Sequence, residues 1–72
     1  MDTDNATIGA GTIVEPGVVV GFRYHPDCGL AHIGSNGILR HGTLIYGDVT
    51  IGDHFQSGHN TVIRAKVRVK VV

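Results

Sequence analysis

The chain has 72 residues, with six Lys plus Arg balanced by six Asp plus Glu, so its formal charge is zero with histidine neutral. That length supports one small domain whose core needs help from a metal, disulfides or self-association, and a single cysteine, Cys28, excludes an internal disulfide. Balanced charge excludes the basic surplus that holds a phosphate backbone, so nucleic acid is not an expected partner; the longest wholly aliphatic run, residues 18–20, is far short of the ~20 apolar residues of a membrane helix, so no membrane partner is expected either.

The start, MDTDNA, lacks the basic and apolar regions of a secretory signal, which predicts a cytoplasmic protein, and residues 1–5 read as a flexible lead-in. From Ile8 onward the aliphatic residues recur every sixth position: Ile8, Val14 and Val20, then Ile33, Leu39, Ile45, Ile51, Ser57, Ile63 and Val69, with Ser57 the one lapse. Glycine follows directly at 9, 21, 34, 52 and 58, and the fifth place of the hexad is β-branched at Thr12, Val18, Thr43, Val49, Thr61 and Val67. A six-residue spacing walks around a helix of 3.6 residues per turn, so it excludes an amphipathic helix. It predicts an all-β fold, a left-handed parallel β-helix of about three to four coils, in which three short strands joined by tight turns make one triangular coil of about 18 residues. The aliphatic residue plugs the interior, and glycine supplies turn conformations.

Between Val20 and Ile33 the step is thirteen, which reads as one hexad and a seven-residue loop over 26–32, PDCGLAH, punctuated by Pro26 and Gly29. Beyond it the phase is unbroken until KVRVKVV, where residues 66–72 read as an irregular C-terminal edge strand within the single domain 1–72. This phase stacks Ile8, Ile33, Ile51 and Val69 on one face, Val14, Leu39 and Ser57 on a second, and Val20, Ile45 and Ile63 on a third. Outward neighbours should then form ladders, Glu15 beneath Arg40, and Arg23, Asp48 and Lys66 in alternation. His41 falls directly beneath His59, eighteen residues on, both pointing outward; two imidazoles that close resist charging together, so one of them is a candidate proton acceptor.

The segment IGDHFQSGHNTVIRA, residues 51–65, with TLIYGDV before it, resembles the hexapeptide-repeat acyltransferases of bacteria and archaea, specifically a branch acting on sugars or aminosugars; the shared pattern covers about residues 6–66. The resemblance implies a trimer of left-handed β-helices, acetyl-CoA as co-substrate with no tightly bound cofactor, a sugar nucleotide as acceptor, and sites in clefts between subunits. It makes His59 the candidate general base and Asn60 a weaker candidate to orient the acceptor, although Asn60 reads first as a turn residue; His41, placed by the coil count, is a further weak candidate. Members of the family continue for further coils that help form the coenzyme groove, whereas this chain stops at Val72, has Ala65 where relatives carry Glu, and lacks the glycine expected at Lys70. A truncated, inactive fragment is therefore an expectation beside the enzyme.

Two further readings belong to other classes. His54 and His59 match the H-x4-H spacing of the γ-class carbonic anhydrases, which hold zinc between subunits, but His54 follows its aliphatic residue by three places, not two, so no metal ligands are assigned. A structural or oligomerisation module is the main non-enzyme reading: open coil ends recruit strands, and the chain is expected to be a homo-oligomer, a trimer or a dimer through the 67–72 edge. Ser57 reads as a small interior residue and Cys28 as a loop thiol beside Asp27; neither has an activating motif.

Overall fold

The aliphatic residues predicted to plug the prism lie in short strands. The computed structural model describes residues 2–65 and 68–69. In it the strands are β1 (Ala6–Ile8), β2 (Ile13–Val14), β3 (Val19–Phe22), β4 (Ala31–Ile33), β5 (Ile38–Leu39), β6 (Leu44–Tyr46), β7 (Thr50–Ile51), β8 (Val62–Ile63) and β9 (Arg68–Val69). They form three parallel sheets, ordered β1-β4-β7-β9, β2-β5 and β3-β6-β8. Every third strand meets in register: Ile8 with Ile33 and then Ile51 and Val69, Val14 with Leu39, and Val20 with Ile45 and then Ile63. A bridge from Ile38 to Gln56 carries the second face into the next coil and sets Ser57 above Leu39. The architecture is a parallel β-helix of about three coils, consistent with the left-handed form.

Strands this short make few hydrogen bonds each, so the stack is held by what lies between the faces. Val18, Val20, Ala31, Ile33, Leu39, Ile45, Val49 and Ile51 are buried, and Leu39, Ile45, Val18 and Val49 are entirely so. No aromatic ring is among them. The narrow triangular interior is filled by branched side chains two places apart, Val18 with Val20, Thr43 with Ile45 and Val49 with Ile51. Where the code lapses, Ser57 is also buried, and its hydroxyl lies 2.7 Å from the hydroxyl of buried Thr43 while accepting the Arg40 N–H at 2.9 Å. Two interior hydroxyls thereby satisfy each other, as burial demands. Among the described residues no buried side-chain N or O atom is left without a partner.

Two expectations need correction. Residues 2–5 are not a loose lead-in: the Asp2 N–H donates to Val18 O and Asp2 O accepts the Val20 N–H, both at 2.8 Å, while the buried Asn5 side chain donates to Gly21 O at 3.1 Å and Gly29 O at 2.9 Å. The lead-in supplies part of a coil beneath the third face, which is why Val20 is fully covered although Ile8 and Val14 in the same coil are only half-buried. The loop is also shifted. Ala31 and His32 belong to β4, and Ala31 is fully buried, so the irregular segment runs over 23–30. Its N-terminal limit is set by Gly21, an extra residue in β3 that shifts the register between Val20 and Phe22. Gly21 has φ +86°, and a Cβ there would run into the Asn5 carbonyl, so this bulge takes glycine on two counts. β9 pairs in parallel with β7, Thr50 with Arg68 and Ile51 with Val69, so Val69 continues the first-face column as its phase predicts. The rest of the predicted 66–72 edge, and the Lys66 rung of the charge ladder, lie outside the described residues.

Leu39 is at the centre of this column, so Leu39→Ala should lower unfolding free energy by ~2–5 kcal/mol, a large part of the stability available to a small domain. Ile13, 57% exposed on the same sheet, should lose under ~0.5 kcal/mol as Ile13→Ala in the isolated chain. Urea denaturation followed by circular dichroism reads both, and equal losses at the two positions would contradict the plug-and-column architecture.

Candidate functional site

The corner that carries His41 and His59 is built from turn residues stacked coil on coil. Gly17, Gly42 and Asn60 occupy one column and all have positive φ, +80°, +79° and +56°. Gly11, Asn36 and His54 make a second such column, at +78°, +58° and +63°. Left-handed backbone favours glycine, with asparagine, aspartate and histidine the most tolerant substitutes. His54 and Asn60 thus stand where the turns need them. The Asn60 N–H donates to His41 O at 3.0 Å, and a Cβ on Gly42 would strike the Asn60 side chain, so this side chain lies over the glycine below it. His41 lies in the same way over Gly17, whose Cβ position is 3.2 Å from the imidazole Cε1.

His41 and His59 are both exposed, at equivalent places in successive coils. The corner beneath them is fixed from inside the prism. The Thr43 hydroxyl donates to Arg40 O at 2.7 Å and approaches Gly58 O at 3.2 Å, and the Ser57 hydroxyl holds the Arg40 N–H. The expected Glu15–Arg40 rung does not form. Glu15 Oε1 accepts the His41 backbone N–H at 2.8 Å, while the Arg40 guanidinium reaches up to Ser57 O at 2.9 Å and Gln56 Oε1 at 3.2 Å. Each side chain satisfies a backbone group at the turn, and a surface ion pair worth ~0–1 kcal/mol does not outweigh that.

His54 and His59 belong to different corners of one coil, with the Phe55–Ser57 stretch of the second face between them, and both are exposed. Among the described residues no three His, Cys, Asp or Glu side chains gather to hold a metal ion. The left-handed turn at His54 gives the residue at that position a conformational role.

The site that sequence reasoning missed lies on the third face. The Gly21 bulge moves the outward positions by one, so Tyr24, not Arg23, meets Asp48: the Tyr24 hydroxyl donates to Asp48 Oδ2 at 2.6 Å, and Asp48 Oδ1 accepts the Gly29 N–H at 3.0 Å. Phe22 stands against Tyr46 with centroids 5.1 Å apart, Tyr24 stacks on Tyr46 at 5.6 Å and 30°, and His25 meets Tyr24 edge-on at 4.5 Å. The Arg64 guanidinium lies 5.7 Å from the Tyr46 centroid, within cation–π range. A further exposed imidazole, His32, is held at Nδ1 by Thr7 Oγ1 at 2.9 Å on the first face. The signal for the aromatic cluster was in the sequence, as the clustering of Phe22, Tyr24 and Tyr46 about one face, but it needed the bulge to be seen.

Neither a known protein family, nor a curated protein, nor a solved structure matches this chain.

The hydrogen bond to Asp48, followed by burial of the ring and the negative charges of Asp48 and Cys28, pushes the Tyr24 pKa up from 10.0 to about 12. A phenol whose folded pKa is raised contributes stability that is complete below the unfolded value and lost as pH rises through the folded one. The contribution from Tyr24 should therefore persist to about pH 10 and vanish between there and about pH 12. Ultraviolet titration of tyrosinate should show this late ionisation, and Asp48→Asn should bring it back toward the ordinary range.

Proposed function

We propose that this chain is an acyltransferase-type hexapeptide β-helix that transfers an acetyl group from acetyl-CoA to a hydroxyl or amine of a sugar or aminosugar. The observation that carries this reading is the exposed corner on which His59 stands directly above His41 in a rigid, backbone-paired turn. Among the described residues the His59 imidazole makes no hydrogen bond, so its ring nitrogen is open to an acceptor. In the step envisaged, neutral His59 takes the proton from the acceptor O–H or N–H as that atom bonds to the thioester carbonyl carbon; the C–S bond then breaks and the coenzyme sulfur takes the proton back, leaving free thiol and acetylated sugar. Asn60 holds the turn and stands beside the acceptor. His41 sets the electrostatic surroundings from one coil below.

A prism corner is convex, and a general base on a convex surface works in bulk water unless a second surface faces it. This reading therefore requires a neighbouring subunit to close the cleft, which makes the homo-oligomer part of the catalytic proposal. The exposed apolar side chains favour the same assembly and also support the second reading, a purely structural module: Ile13 and Val62 are 57% and 55% exposed, and Leu30 and Phe22 are 43% and 41%. Buried in a subunit contact, such residues contribute on the order of 25 cal/mol per Å² of apolar surface.

With acetyl-CoA and aminosugar acceptors, release of coenzyme thiol should be measurable by a thiol reagent, and His59→Ala should slow it by ~10²–10⁴-fold with the circular dichroism spectrum unchanged. Calorimetry that detects no heat with millimolar acetyl-CoA would remove the acyltransfer reading. Sedimentation equilibrium separates the alternatives further: a stable monomer at micromolar concentration contradicts both, whereas an oligomer without donor binding leaves the structural module.

A further inference from the structure

Four phenyl or phenol side chains occur in the whole chain, two Phe and two Tyr, and three of them stand together on the outside of the third face. Phe55 stands apart from them, half-buried against the core, against which Tyr46 also packs. Phe22 is 41% exposed and Tyr24 and Tyr46 are half-exposed, with His25, Arg23 and Arg64 exposed around them. The rings come from two successive coils and are brought together by the Gly21 bulge. Their positions are fixed: the Tyr24 hydroxyl is held by Asp48 at 2.6 Å, and Tyr46 is flanked by Phe22 at 5.1 Å, Tyr24 at 5.6 Å and the Arg64 guanidinium at 5.7 Å.

We propose that this aromatic step, formed by Phe22, Tyr24 and Tyr46 with Arg64 at its edge, binds a nucleotide, the rings stacking on the base and the guanidinium pairing with phosphate. Two features select that ligand chemistry. Phe22, 41% exposed, and the half-exposed Tyr24, backed by Tyr46, offer ring surface to a planar base, a contact that orders little when the rings are already held. The cationic group at the rim, Arg64, suits an anion and presents a planar fork matched to phosphate oxygens. Asp48 keeps its negative charge, but its two oxygens are directed to the Tyr24 hydroxyl and the Gly29 N–H, so the phosphate is assigned to the Arg64 edge of the step. Two ligands of the proposed reaction carry this chemistry, the nucleotide end of coenzyme A and the nucleotide of an activated sugar. The inference rests on the acyltransfer reading for the ligand's purpose but not for its binding.

The test uses the full chain with ¹³C-labelled tyrosine. Both tyrosines of the chain lie in the step, so every tyrosine ring signal reports on it. Titration with adenosine 3′,5′-bisphosphate in one arm and uridine diphosphate in the other should move both ring resonances saturably, and the arm that binds more tightly identifies the source. Tyr46→Leu, which keeps an apolar side chain against Phe22, should weaken binding by about tenfold or more. Arg64→Gln should weaken it to a similar degree and bring its affinity near that of the nucleoside without phosphate. No ring shift at millimolar nucleotide overturns the proposal, as do equal affinities for the parent chain and Tyr46→Leu. Ring shifts that follow protein concentration and ignore nucleotide also overturn it, by showing the step to be a contact between copies of this chain. Nucleotide binding that survives in a chain without acyl transfer would remove the catalytic reading and leave this site standing. Acyl transfer without ring shifts would do the reverse.

Discussion

Vertical registry of the interior side chains is the constraint on which the rest of this molecule depends. A strand of two or three residues has almost no stability by itself, and a flat coil has no core by itself; each face becomes stable only when its plug lies on the plug of the coil below. Leu39 on Val14, Ile45 on Val20 and Ile51 on Ile33 supply that contact. The burial is non-directional, but the backbone ladder is not, and together they allow one register only. A shift by one residue would turn the plug outward and bring a polar or exposed neighbour inward.

The same registry decides what the outside can do. Outward residues inherit their neighbours from the inward ones, so His41 and His59 share a corner because Leu39 and Ser57 share a column. The turns add a second inheritance. Left-handed backbone at equivalent corners accepts Gly, Asn, Asp or His, which ties two of the polar residues in IGDHFQSGHN to conformation before any chemistry is asked of them. His59, next to the left-handed residue and not itself one, is free of that duty. The prism thus separates residues that shape the turn from residues that the turn displays.

One departure from strict periodicity has consequences at several places. Gly21 adds a residue to β3, and that one residue brings Tyr24 in place of Arg23 to Asp48, sets the aromatic rings of two coils against each other, and lets the Asn5 backbone pack directly on the strand. Asp48 then ties the loop back to the prism by accepting the Gly29 N–H while its own N–H reaches the carbonyls of Gly29 and Leu30. An insertion that would simply be a loop in a purely periodic fold becomes here a fixed surface with its own chemistry.

The period of six, the plug residues and the three stacked columns were legible in the amino-acid sequence, because interior packing filters side chains by size and polarity and leaves that filter in the spacing. The outward pairing of His41 with His59 followed from the same count. What only the tertiary structure decided were the contacts made where the count is interrupted or where partners lie far apart along the chain: the bulge at Gly21, the entry of Ala31 and His32 into β4, the capping of the third face by Asp2 and Asn5, and the choice of Glu15 and Arg40 to satisfy backbone groups in place of each other. Periodicity records what repeats. A bulge, a cap and a competition between a surface ion pair and a backbone hydrogen bond each happen once, and their outcome depends on distances that exist only after the coils have closed.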